Sequence, residues 1–246
     1  MKRITVIGLG PGDPAMMTYE ARAALEEAEV ICGYTVYVEL VRPLFPEKET
    51  FTTPMRKETD RCRAALEKAA EGRSVAMVCS GDSGVYGMAG LIYELSPEYP
   101  GVEIEIIPGL TAACSGAAVL GAPLTHDFAV VSMSDLLTPW ETIEKRLRLA
   151  GQADFVVCLY NPMSHSRRDY LRRAADILLE NKKPETVCGW VRNIGRPGQK
   201  AGTCTLAELG EQELDMFTTV FIGNASTRLI EGKMVTPRGY DKKRKV

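Results

Sequence analysis

Short apolar runs alternate with amphipathic stretches from the start of the chain. Ile4–Ile7, Val30–Cys32, Ser74–Cys79 and Val102–Ile107 are brief and aliphatic, which predicts buried strands. Thr18–Ala28 and Lys57–Glu71 carry apolar residues at helical spacing, and Met88–Leu95 follows the third strand as a further helix. This β-α-β order predicts a mostly parallel sheet with helices on its faces. Pro108-Gly109 closes the fourth strand, and a helix of small residues begins in Leu110–Ala118. Small side chains at that density suit close packing, so the hinge between two halves is placed near residues 110–125. Strands are predicted beyond it at 128–132, 155–159, 186–191 and 218–223, with helices at 138–149 and 168–181. The expected fold class is α/β: two α/β domains, residues 1–112 and 113–240, with mostly parallel or mixed sheets forming a cleft. A basic tail, 241–246, follows.

Composition narrows the partners. The chain has 246 residues, of which 45% are hydrophobic, enough for a sizeable core. Its 30 basic and 32 acidic residues nearly cancel, so a nucleic-acid partner has no global electrostatic support. Any anionic ligand must be met locally. The seven cysteines lie far apart without a C-x-x-C pair, which predicts reduced thiols and no bound metal. No apolar run approaches the roughly 18 residues that span a bilayer, and no secretory leader precedes the first strand, so a soluble cytoplasmic protein without a membrane partner is expected.

The candidate chemistry sits where strands end. Ser80-Gly81-Asp82-Ser83-Gly84-Val85-Tyr86-Gly87 leaves the third strand and brings bare backbone to the carboxyl edge of a sheet, where α/β proteins bind ligands. Asp82 adds a negative charge unsuited to phosphate and suited to a cation; alternatively, it accepts hydrogen bonds from its own loop. Gly8-Leu9-Gly10-Pro11-Gly12-Asp13-Pro14 leaves the first strand. Its prolines replace donors that a dinucleotide turn needs, so a nicotinamide site is disfavoured.

Taken in order, Gly8-Leu9-Gly10-Pro11-Gly12-Asp13, Ser80-Gly81-Asp82 with Val85-Tyr86-Gly87, Pro108-Gly109-Leu110-Thr111-Ala112-Ala113 and Pro123-Leu124-Thr125-His126 resemble the ordered motifs of the tetrapyrrole (uroporphyrinogen and corrin) methyltransferases. Ser83-Gly84, Met133–Trp140 and Leu159-Tyr160-Asn161-Pro162 resemble the branch that methylates C17 of precorrin-3B during ring contraction. The resemblance implies S-adenosylmethionine held between two domains, a homodimer, and a tetrapyrrole substrate, precorrin-3B or cobalt-factor III, on the route to cobalamin. It implies that Pro11, Ser80, Gly81, Asp82, Val85, Tyr86, Thr111 and Ala112 line the cofactor in the first domain. Tyr160, Asn161 and Asn193 do so in the second. A sister enzyme acting at another corrin carbon is the alternative within the class. A non-catalytic module that binds a nucleotide or a tetrapyrrole is the alternative outside it.

Methyl transfer from a sulfonium to carbon needs placement rather than a protein nucleophile. Ring contraction moves protons, and His126 with Asp127 is the candidate acid–base pair, bracing of the turn being the other reading. His165 is a second candidate, or part of a helix cap. The carboxylates of the substrate call for local cations, and Arg56, Arg167, Arg192 and Arg196 lie near strand ends. Tyr34, Tyr86 and Tyr160 could stack on a macrocycle or simply pack in a core.

Overall fold

The computed structural model describes residues 2–164 and 166–240. The chain divides into two compact units, residues 1–112 and 113–246. His165 and the 241–246 tail lie outside the described residues.

The first unit follows the alternation in the sequence. Its elements are β1 (Arg3–Gly8), α1 (Tyr19–Glu27), β2 (Val30–Tyr34), α2 (Thr35–Val41), β3 (Glu49–Thr53), α3 (Glu58–Ala70), β4 (Ser74–Cys79), α4 (Ala89–Leu95) and β5 (Glu103–Ile107). All five strands are parallel, in the order β3-β2-β4-β1-β5. Both faces are covered, because strand side chains alternate between two cores. Ile4, Val6, Val30, Cys32, Val75 and Met77 pack with α3 and α4 on one face. Ile7, Ile31, Ala76 and Val78 pack with α1 and α2 on the other. β5 is an edge strand, and its Glu103 and Glu105 alternate with isoleucines. The connection leaving β1 runs to β2, past β4, while the connection leaving β4 runs to β5, past β1. The two adjacent strands thus send their loops in opposite directions, the arrangement that opens a ligand site at a carboxyl edge.

α5 (Ala112–Leu120) starts at the unit boundary, and β6 (Gly121–Ala122) follows. The second unit continues with β7 (Phe128–Ser132), α6 (Trp140–Gln152), β8 (Val156–Tyr160), α7 (Tyr170–Leu179), β9 (Val187–Arg192), β10 (Lys200–Thr205), α8 (Leu206–Leu209), β11 (Thr218–Ile222), β12 (Arg228–Ile230) and β13 (Lys233–Val235). Its main sheet, β10-β9-β11-β8-β7, is mixed: β7 and β8 are parallel, and the other neighbours are antiparallel. A small β12-β13-β6 sheet lies beside it in sequence order. The core gathers Ile143, Leu147, Leu171, Leu178, Val157, Leu159, Val220 and Ile222. Among the described residues no helix is long and apolar enough to cross a membrane.

All seven cysteines are free, and Cys114 alone is exposed. Burial pushes the thiols of Cys32, Cys62 and Cys158 up to about 12 and those of Cys79 and Cys204 up to about 11. The thiolate is the reactive form. Brief iodoacetamide treatment of the native protein is therefore expected to label Cys114 first, with the strand cysteines labelled only after denaturation. Rapid native labelling of Cys32 or Cys158, read by peptide mass spectrometry, would contradict the packing.

Candidate functional site

In the first unit the loops leaving β1, β4 and β5 meet backbone to backbone. Leu9 N–H donates to the Cys79 carbonyl at 2.9 Å. Gly10 and Gly81 exchange two bonds, Gly10 N–H to the Gly81 oxygen at 3.0 Å and Gly81 N–H to the Gly10 oxygen at 2.7 Å. A Cβ placed on Gly109 would stand 2.2 Å from the Gly81 oxygen and 2.6 Å from the Gly8 carbonyl carbon. Gly8 is equally crowded, 2.6 Å from the Gly109 nitrogen. These glycines are required by close approach of main chain, and Gly81 also by its φ of 71°.

Asp82 holds this junction together. Its Oδ1 accepts from the Gly84 N–H at 2.8 Å and the Val85 N–H at 3.0 Å, and its Oδ2 accepts from the Gly109 N–H at 2.9 Å. Each is a charge-assisted bond, worth more than a neutral one. Ser83, wholly buried, donates its hydroxyl to the Ile107 carbonyl at 2.9 Å and ties the β4 loop to the end of β5. Asp82 thus shapes its own loop, and three of the roughly four lone-pair sites of its carboxylate are taken, leaving one on Oδ2.

Around this frame the surface is apolar. Val85 is 37% exposed, Tyr86 54% and Leu110 44%, all on loops at one sheet edge. Tyr86 also has a positive φ of 56°. A bulky residue in the left-handed region is strained, and such strain gathers at ligand sites. Arg56, exposed on the loop after β3, is strained likewise at φ 66°. The combination of bare backbone, a carboxylate and exposed apolar side chains suits a ligand with a cationic centre and a flat organic body.

The second unit shows a comparable edge. Asn161 and Asn193 directly follow β8 and β9, and both have φ of 52°. Asparagine tolerates this conformation better than most residues. The Asn161 amide donates to the Ser132 hydroxyl at 3.2 Å, and the Tyr160 hydroxyl accepts from the Ala113 N–H at 2.6 Å in the first turn of α5. That bond lets the Tyr160 hydroxyl cap the first turn of α5.

Two of the candidate arginines have carboxylate partners. Arg167 has a side chain only 13% exposed; it donates to the Ser164 hydroxyl at 3.1 Å and stands 3.6 Å from Asp135. Asp135 also accepts from the Tyr170 hydroxyl at 2.6 Å, which raises the phenol above its ordinary range. Arg192 pairs with Asp215 at 2.7 Å. Arg196 N–H donates to the Asn193 carbonyl at 3.0 Å and so helps shape the turn after β9. In this structure Arg167 and Arg192 therefore each have a carboxylate partner, Asp135 and Asp215.

His126 and Asp127 lie at the edge of the second sheet opposite Tyr160 and Asn161. They precede β7, where Val156 N–H donates to the Asp127 carbonyl at 3.2 Å, at the amino edge of the parallel β7–β8 pair. Tyr160 and Asn161 lie at the carboxyl edge. β9 runs parallel to β8, because both are antiparallel to β11, so Asn193 shares that carboxyl edge. A five-residue strand at about 3.3 Å per residue separates the two edges by roughly 15–20 Å. The His126 Nδ1 accepts the Asp127 N–H at 3.0 Å, which is the bracing geometry. Together His126, Asp127, Asp154, Asn224 and Arg238 line a separate open cleft of about 740 Å³.

The sequence assigns no role to Arg61, and it marks neither the Ser83 tie to Ile107 nor the pairing of Asp135 with Arg167 and Tyr170. Only Arg61 carried a visible signal: a charged residue on the apolar stripe of α3, in register with Ala65 and Ala69.

Parallel strands whose carboxyl-edge loops are joined by glycine backbone, followed by a mixed five-stranded sheet, define a two-part α/β protein. The chain belongs to the tetrapyrrole (corrin/porphyrin) methylases, whose family model matches residues 3–210. It is 48% identical over 96% of its length, and 99% of the relative's, to a probable cobalt-factor III C(17)-methyltransferase of Salmonella typhimurium. To a precorrin-3B C(17)-methyltransferase of a Sinorhizobium species it is 39% identical, covering 96% of each chain. Some curated relatives are longer, and the chain spans 46% and 53% of two of them. Among solved structures, the methyltransferase CobJ matches with a TM-score of 0.90 and 43% identity over 95% of this chain and 99% of its own.

Proposed function

We propose that this methyltransferase moves a methyl group from S-adenosylmethionine to C17 of a precorrin-3-level tetrapyrrole, with ring contraction, on the route to cobalamin. The observation that carries this is the end-to-end similarity to the Salmonella relative bearing that name. The higher identity to this relative than to the precorrin-3B enzyme favours cobalt-factor III as substrate. Any cobalt then belongs to the substrate.

When bound, the cofactor supplies an electrophilic methyl on a sulfonium; C17 takes the methyl, and the electron pair of the broken C–S bond stays on sulfur. The residues of this chain supply placement. Pro11, Ser80, Gly81, Asp82, Val85, Tyr86, Thr111 and Ala112 form the first-unit contacts, with Tyr160, Asn161 and Asn193 contributing from the second. The junction of the β1, β4 and β5 loops is held by its own hydrogen bonds before any ligand arrives, so little ordering is lost on binding. Asp82 places negative charge on the edge where a sulfonium gains from it. Exposed Val85, Tyr86 and Leu110 exclude water once covered. The reading includes a cytoplasmic homodimer, checked by sedimentation.

Incubation with cobalt-factor III and S-adenosylmethionine carrying a ¹³C-methyl group is expected to give a single new methyl carbon at C17 by NMR. Label at another ring carbon would move the protein to a sister reaction, and no label in the macrocycle would remove the enzyme reading.

A further inference from the structure

Arg61 is 4% exposed, yet its guanidinium meets only neutral partners. Nε donates to the Thr53 hydroxyl at 2.8 Å and Nη2 to the Pro54 carbonyl at 3.2 Å. Its Cζ lies 5.8 Å from the centre of the Tyr34 ring, which Tyr37 meets edge to face at 5.1 Å. Among the described residues no carboxylate comes within the 4.0 Å of an ion pair with Arg61. Glu58, one turn earlier, accepts the Arg56 N–H at 3.2 Å instead. Nη1 makes no bond, and it is not sealed from solvent: the one wholly buried side-chain nitrogen or oxygen without a partner among the described residues is Arg3 Nε.

Arg61 lines a cavity of about 170 Å³ together with Tyr34, Tyr37, Glu58, Ser80 and Tyr86. Ser80 and Tyr86 belong to the β4 loop of the candidate site. A buried charge without a counter-ion costs several kcal/mol, and an anion that enters beside it recovers much of that cost. The planar guanidinium favours a carboxylate. The volume falls below the roughly 300–1,000 Å³ that holds a whole drug-sized ligand, so the cavity suits one arm of a larger molecule.

We propose that Arg61 and the Tyr34–Tyr37–Tyr86 cavity form a subsite for one carboxylate of a ligand bound at the β4 loop. This rests on the proposed function, in which two molecules carry such a group: the tetrapyrrole in its peripheral arms and the methyl donor in its amino-acid part.

The test compares wild type, Arg61→Lys and Arg61→Met in steady-state methyl transfer to cobalt-factor III. It adds calorimetric titration with S-adenosylhomocysteine and with methylthioadenosine, which lacks the amino-acid part. Loss of a charge-assisted bond predicts a roughly 10- to 100-fold rise in one KM or Kd for Arg61→Met, with partial recovery in Arg61→Lys. If the tetrapyrrole KM rises and homocysteine-nucleoside affinity holds, the arm is the substrate's. If S-adenosylhomocysteine weakens and methylthioadenosine does not, the carboxylate is the cofactor's. Should Arg61→Met melt early, propionate at constant ionic strength gives the same information in wild type, where it is expected to compete with that one ligand. No change in either affinity together with no competition by propionate overturns the subsite while methyl transfer stands. A wild-type protein that transfers no methyl overturns both.

Discussion

Gly109→Ala is expected to lower stability by about 3 kcal/mol or more and to abolish measurable S-adenosylhomocysteine binding. The added methyl would stand 2.2 Å from the Gly81 oxygen, and both neighbours are backbone held by other bonds. Overpacking a side chain costs about 1–3 kcal/mol because side chains can turn aside. Main chain joined to β1 and β4 has less room to yield. At roughly 2–4 °C per kcal/mol for a chain of this size, the melting temperature should fall by about 6–12 °C. Gly90→Ala, in α4 with nothing within 4 Å of the added carbon, is the control and is expected to be neutral or slightly stabilising. A Gly109→Ala protein with wild-type melting and binding would mean that the three loops do not meet as described.

Replacement of Asp82 separates two roles that the sequence leaves superposed. Asp82→Ala removes the acceptor of three backbone N–H groups, at about 1.5–3 kcal/mol for a bond to a charged group, without full additivity. Asp82→Asn keeps the shape but turns one acceptor into a donor. The amide nitrogen must then face either Gly109 or the Gly84–Val85 pair, donor against donor. Asp82→Asn is therefore expected to recover less than half of the stability lost in Asp82→Ala, both read by thermal denaturation. If Asp82→Asn melts like wild type yet loses cofactor affinity, the carboxylate acts on the ligand's charge and not on the loop.

The first sheet was legible because its strands are buried on both faces and so read as plain apolar runs. β3 (Glu-Thr-Phe-Thr-Thr) and β10 (Lys-Ala-Gly-Thr-Cys-Thr) were not, because edge strands need little apolar character. The β-branched α2 and the two- and three-residue strands β6, β12 and β13 gave too short a pattern for periodicity to act on. The loops of the site were legible through their glycines, whose need here is the mutual approach of Gly8, Gly81 and Gly109.

His126 shows where such reading stops. Its position beside a turn was visible, but that this turn lies at the edge opposite Tyr160 and Asn161 depends on β7 pairing parallel with β8, which no local pattern encodes. For Arg61 the register with Ala65 and Ala69 was visible and the burial was not. A charge on an amphipathic helix is read as solvated, and only the packing around 61, 65 and 69 turns it inward.

The central claim is that the junction of the β1, β4 and β5 loops is the cofactor edge of a methyltransferase. Isothermal titration of S-adenosylhomocysteine into wild type and Gly109→Ala, alongside Gly90→Ala, tests it most directly. Saturable binding with one site per chain in wild type and Gly90→Ala, lost in Gly109→Ala, is the predicted result; no heat with wild type, or equal affinity in all three proteins, would contradict it.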